Sequence, residues 1–202
     1  MTHDKYSSFE ELQRHETLDK DFTLSFRNAG SRVTIIAPHG GKIEPRTSDL
    51  AKRIAGENYN FYCFEGIKEK ENACLHITSH RFDEPGAVKL VSKSEVVVAL
   101  HACTGTAGLV HIGGLNKNLG SLIGGELQDR GIGVSNDHPR FQGSNPANIC
   151  NRGATGMGVQ LEVTRDLRDD LQKVYVIARA VRAALLNYGS INNNKAANYQ
   201  LI

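Results

Sequence analysis

Two kinds of apolar pattern alternate along the chain. Residues 33–37 (Val-Thr-Ile-Ile-Ala) and 96–100 (Val-Val-Val-Ala-Leu) are short, β-branched and apolar throughout, as buried strands are. Residues 22–26 alternate and predict a half-buried strand, and further short strands are predicted over 59–64, 75–78, 110–112 and 158–163. Ser8-Phe9-Glu10-Glu11 fits a capping box and predicts a helix over 8–17. Helices are also predicted over 47–57, over 115–130 with Gly131 closing it, and over 171–188 with Gly189 after it. Residues 85–92 read as a helix or turn, and the Asn-rich segment 190–202 as a polar, frayed tail.

Strands alternating with helices imply an α/β fold, a three-layer sandwich around a mixed, largely parallel sheet. The 202 residues suit one domain, and no repeat or low-complexity linker divides them. In such sheets ligands bind beyond the carboxyl ends of strands, and the chemically interesting residues fall there. His39 and Glu44 share the loop that follows residues 33–37, where Gly40 and Gly41 permit a sharp turn. His101 ends the strand at 96–100, and Glu162 lies at the end of Gly-Val-Gln-Leu-Glu-Val.

These residue types suit a catalytic zinc. Such an ion takes about three protein ligands and keeps one position for water. Two imidazoles and a carboxylate meet that need, and the ion acidifies the water and polarises a carbonyl. A separate carboxylate must then move the proton, which is the role available to Glu162. Taken singly, each residue has a plainer reading. His39 could brace its loop, His101 could be a satisfied core histidine, Glu44 a solvated loop charge, and Glu162 a partner of Arg165 or Arg168. The conjunction on one α/β framework favours the metal reading.

Composition narrows the remaining possibilities. Lysine and arginine number 24 against 22 acidic residues, a net charge of +2, so charge gives no sign of nucleic-acid or membrane binding. No apolar run is long enough to span a bilayer. The first residues lack a signal-peptide core, so synthesis in the cytoplasm is expected. Cys63, Cys74, Cys103 and Cys150 lack Cys-x-x-Cys spacing and read as free thiols. The glycine-rich stretches do not end in Gly-Lys-Ser/Thr, so they form no phosphate loop. His76 reads as structural, and His111 could face the cleft or the core, with the structural reading preferred.

Together, the segments APHGGKIEPRTSDLA, CFEG, LHITSHRFDEP, ALHACTG, NICNRG and GVQLEVTRDLR resemble the poly-γ-glutamate hydrolases of Bacillus phages and bacilli over roughly residues 8–188. That resemblance implies a zinc carboxypeptidase-like fold and one zinc per chain. It further implies cleavage of the γ-linked glutamate polymer of bacterial capsules. On the motif match His39, Glu44 and His101 fall on the metal-ligand positions and Glu162 on the general-base position. Four residues separate His39 from Glu44, where the wider carboxypeptidase pattern has two. The polymer carries an α-carboxylate on every residue, which a planar arginine fork suits. Arg152, in a glycine-rich loop without near acids, is the expected oxyanion or carboxylate donor. Arg81, Arg165, Arg168, His80 and Asn151 are further candidates for holding substrate. A monomer released by host lysis is the expected setting. A zinc deacylase of a small N-acyl amino acid and a non-catalytic polymer-binding phage component are the competing readings.

Overall fold

The computed structural model describes Asp4–Tyr199. Seven strands form one sheet: β1 (Phe22–Arg27), β2 (Val33–Gly41), β3 (Asn60–Gly66), β4 (Val96–Ala102), β5 (Leu109–Gly113), β6 (Gly133–Ser135) and β7 (Val159–Val163). Their order across the sheet is β1-β3-β2-β4-β7-β5-β6. The central four, β3, β2, β4 and β7, run parallel. β1 is antiparallel to β3, and β5 is antiparallel to β7 while parallel to β6. The sheet is therefore mixed and parallel at its centre, as the alternation of elements implies.

Period-two side-chain alternation divides the core between the two faces. Ile35, Val98, Leu100, Leu161 and Val163 pack on one side under α2 (Thr47–Ala55), α4 (Lys117–Gln128) and α6 (Leu171–Tyr199). Ile36, Val97 and Ala99 pack on the other against α1 (Phe9–Leu12), α3 (Pro85–Val91) and the segment carrying Leu75, Ile77 and Phe82. The second layer is thin and irregular, and the site opens through it. All four cysteines are free, and among the described residues no helix is long and apolar enough to cross a membrane.

Three local expectations are corrected, and two short elements were not expected. The first helix covers only Phe9–Leu12, because the chain then turns to bury Glu16 beside Tyr6 and Lys68. Residues 75–78 form no strand. A 3-10 turn spans Asn72–Leu75, and Ile77 lies off the sheet, its carbonyl meeting His39 instead of a neighbouring strand. The short α5 (Arg165–Asp169) and β6 have no period long enough to announce them in sequence. The last helix runs through Gly189 to Tyr199, so most of the expected polar tail is helical, and residues 200–202 lie outside the described residues.

Candidate active site

β2 does not end where its apolar run ends. Ala37 pairs with Cys63 but Gly40 pairs with Glu65, so β2 uses one residue more than β3 and bulges. The bulge turns His39 onto the face opposite Ala37, where its ring lies against Phe82 and His76. Gly40 and Gly41 are needed here. A Cβ on Gly40 would fall 1.9 Å from the Ser48 Oγ, and Gly41 has φ +63° with the Gly66 backbone hard against it. The loop that follows is tied back on itself. The Glu44 N–H donates to the His39 carbonyl at 2.8 Å, and the Glu44 carbonyl accepts from the Thr47 hydroxyl at 2.7 Å.

Three donors converge as a result. The His39 Nδ1 lies 3.2 Å from the His101 Nδ1 and 3.3 Å from a Glu44 carboxylate oxygen, and the other carboxylate oxygen is 3.7 Å from His101. Both histidines are buried. His39 uses its Nε2 to donate to the Ile77 carbonyl at 2.8 Å, which leaves a lone pair on Nδ1. The His101 Nε2 faces the Ser79 hydroxyl at 3.4 Å. Glu44 also accepts from the Ala102 N–H at 3.0 Å. Burial alone would raise the Glu44 pKa, but the two imidazoles beside it reverse the sign and hold it well below the usual carboxylate range. Burial would lower His101, and Glu44 and Glu162 outweigh it and raise it. Two imidazole nitrogens and a carboxylate packed this closely are stable only around a shared proton or a cation.

Glu162 stands next to this trio on the same face. It is in register with His101 on β4 and with His111 on β5, so one rung of the sheet reads His101, Glu162, His111. Burial raises its pKa, Glu44 adds to that, and the neighbouring His101, His39 and Arg140 only partly offset it. A carboxylate pushed upward beside a cation site is suited to accepting and returning a proton.

The rung opens into a cavity of about 900 Å³. Its far wall is the loop 138–145, and six of the chain's eight histidines, His39, His76, His80, His101, His111 and His138, line it. The loop is held from beneath. Asn151 donates to the Gly143 and Asn145 carbonyls at 2.8 and 2.9 Å and accepts from the Leu115 and Gly158 N–H groups. Gln160 donates to the Phe141 carbonyl at 3.2 Å and accepts from Asn148 at 2.8 Å.

A family model described as poly-gamma-glutamate hydrolase matches residues 6–192. The chain belongs to this family. It superposes on a bacteriophage poly-gamma-glutamate hydrolase with a TM-score of 0.90 at 30% identity, over 94% of this chain and 100% of the other. The fold is accordingly the zinc carboxypeptidase-like α/β fold of that enzyme. A zinc-free apo structure of YndL matches with a TM-score of 0.86 at 31% identity, over 92% of this chain and 99% of the other. The SPbeta prophage-derived UPF0714 protein YoqZ of Bacillus subtilis (strain 168) is 35% identical over 177 residues, which are 87% of this chain and 64% of YoqZ. The chain thus spans about two thirds of the length of that relative.

Membership in the family does not bring the expected arginines to the cavity. Arg152 donates to the Phe82 carbonyl at 2.8 Å, away from the cavity lining. Arg81 pairs with the buried Asp4, and Arg165 with Asp169 one turn along its own helix. Arg168 is buried and gives its guanidinium to the Val163, Pro45 and Cys103 carbonyls, clamping the ends of β7 and β4 to the loop after β2. Asn151 is a buttress beneath the loop, and of the expected substrate contacts only His80 lines the cavity. The arginine that does line it is Arg140, whose guanidinium has no ion pair or hydrogen bond among the described residues. Sequence reasoning passed over Arg140 in its irregular loop. It also read His111 as structural, although Val110 and Ile112 flank it on the core face and parity alone places it opposite them.

Proposed function

We propose that the chain hydrolyses the γ-glutamyl amide bonds of poly-γ-glutamate with one zinc held by His39, Glu44 and His101. The observation that carries the reading is the rung on which Glu162 adjoins that trio inside a single open cavity. The donor set fits the ion. Tetrahedral zinc with nitrogen ligands at about 2.0–2.1 Å sets neighbouring ligand atoms roughly 3.3 Å apart. The two Nδ1 atoms are 3.2 Å apart, and the His39–Glu44 contact is 3.3 Å.

Bound there, zinc supplies a Lewis acid that acidifies water and polarises the amide carbonyl. Glu162 takes a proton from the attacking water and returns it to the leaving nitrogen as the C–N bond breaks, giving a carboxylic acid and an amine, which ionise to carboxylate and ammonium. Its place in register with His101, beside the trio, suits both halves of that task. Arg140, unpaired at the rim, takes the place expected of Arg152. It binds a substrate carboxylate or steadies the charge that develops on the carbonyl oxygen.

The open, loop-walled cavity favours a polymer cut within its length over a small N-acyl amino acid, which a closed pocket would suit. The experiment is incubation with purified poly-γ-glutamate, with and without a chelator, and product sizing by electrophoresis. Zinc-dependent shortening to intermediate lengths is expected. An intact polymer in the presence of zinc would contradict the proposal.

A further inference from the structure

The far end of the rung carries two imidazoles that this account of catalysis does not use. His111 is buried, its Nδ1 has no partner, and neither of its ring nitrogens bonds to a described residue. Nδ1 is closed to solvent, so the nitrogen through which His111 can meet a ligand in the cavity is Nε2. The His138 ring centroid lies 4.8 Å from that of His111, and His138 stacks on Phe141 at 4.2 Å with an interplanar angle of 17°. The His138 Nδ1 accepts from the Arg140 backbone N–H at 3.3 Å, so its proton sits on Nε2. The Nε2 atoms of two imidazoles that line the same cavity therefore have no acceptor among the described residues, and the His138 ring is held by its stacking on Phe141.

We infer that His111 and His138 form a carboxylate subsite that reads the α-carboxylate of the glutamate on the amine side of the scissile bond. The inference rests on the hydrolase reading above and adds a direction to it. In a γ-linked chain the leaving nitrogen is attached to the Cα that bears the carboxylate. Three bonds join the scissile carbonyl carbon to that carboxylate carbon, at most about 4.3 Å along the chain. With the carbonyl at the His39–Glu44–His101 end and the leaving nitrogen at Glu162, this carboxylate falls just beyond Glu162. His111 stands there, opposite Glu162 across an antiparallel pair whose Cα atoms lie about 4.5–5.5 Å apart. The α-carboxylate on the acyl side is one bond further from the carbonyl and points back past the metal end. Glu162 would repel the amine-side carboxylate, and the two imidazoles and Arg140 offset that repulsion.

The test uses a γ-linked glutamate oligomer and the same oligomer with one 4-aminobutyrate unit, which is glutamate without its α-carboxylate. Fragments identified by mass report which bond is cut. The unaltered chain should cut a bond with glutamate on the amine side about ten- to a hundredfold faster in kcat/KM than one with aminobutyrate there. His111→Phe and His138→Phe keep ring packing but remove the donors, and each should narrow that ratio to a few-fold. His111→Gln, which retains a donor, should recover part of it. His138 is on a surface loop, so its variant decides the matter if His111→Phe does not fold. An undiminished preference in folded His138→Phe, or an unaltered chain indifferent to aminobutyrate, overturns the subsite while leaving the hydrolase reading in place. Failure of the unaltered chain to cut either oligomer removes both.

Discussion

The two walls of the cavity are built in opposite ways. His39, Glu44, His101 and Glu162 stand on or beside parallel strands at the centre of the sheet. His39, His101 and Glu44, the three that converge, have their second polar atoms tied, to the Ile77 carbonyl, the Ser79 hydroxyl and the Ala102 N–H. His138, Arg140 and Phe141 stand on a loop with little regular structure, held through Asn151 and Gln160, and the His138 Nε2 and Arg140 guanidinium have no hydrogen bond among the described residues. Bond-breaking chemistry needs donors fixed to within a fraction of an ångström, and strands supply that. Holding a long, charged, variable chain needs unpaired donors at an open rim, and a buttressed loop supplies those.

Breaking the strand wall should have the larger effects. His101→Ala removes a donor from the trio and should strip most of the zinc and nearly all polymer cleavage, read by metal analysis beside electrophoretic sizing. Full zinc and full activity in that variant would reassign the ligand set. Glu162→Gln keeps shape and zinc but loses the proton acceptor. Its turnover should fall at least about a hundredfold, with thermal melting and metal content unchanged. A near-normal rate would leave Glu162 a structural neighbour of the ion.

The loop wall should give a smaller and different response. Arg140→Ala should cost about ten- to a hundredfold in kcat/KM on polymer. A rise in KM alone would mark Arg140 as a carboxylate contact, and a fall in kcat alone as support for the oxyanion. Arg152→Ala should change neither, because that guanidinium meets a backbone carbonyl outside the cavity. If Arg152→Ala slows cleavage and Arg140→Ala does not, the assignment of the two arginines is reversed.

The smallest expected effect lies away from both walls, at Glu16. Burial pushes its pKa up, but hydrogen bonds from Lys68, Tyr6 and Lys5 outweigh that and bring it down to about 2 from the usual 4.5. A depressed carboxylate stabilises the fold above its unfolded pKa and loses that contribution as pH falls through the folded one. Acid unfolding should therefore steepen between about pH 4.5 and 2, and Glu16→Gln should remove about 1–3 kcal/mol at neutral pH while flattening that limb. An unchanged acid limb in thermal melts would show that the cluster contributes nothing.

The same contrast explains what was legible in the sequence. Buried strands announce themselves by unbroken apolar runs, and polar residues at their ends stand out, so His39, Glu44, His101 and Glu162 could be picked out without coordinates. What could not be seen was the bulge that turns His39 to the correct face, since it depends on pairing with β3. His111 carried a usable signal, because Val110 and Ile112 belong to the helix-covered core and the residue between them must face the other way. Arg140 carried none. Its loop has no period, and its position depends on Asn151 and Gln160, which only the fold brings beneath it. Arg152 meets the Phe82 carbonyl, a contact that only the fold brings about. Absence of nearby acids does not leave a guanidinium free when a backbone carbonyl can accept from it.

The central claim is that a zinc-loaded trio and Glu162 act together on γ-glutamyl bonds. Its most direct test is the rate of poly-γ-glutamate shortening by the unaltered chain and by Glu162→Gln. Each is stripped with chelator, reloaded with measured zinc and sized by electrophoresis. The account predicts about one zinc per chain in both proteins, rapid shortening by the reloaded unaltered chain only, and none by either stripped form. Equal shortening by the stripped and reloaded unaltered chain, or by the two reloaded proteins, would contradict it.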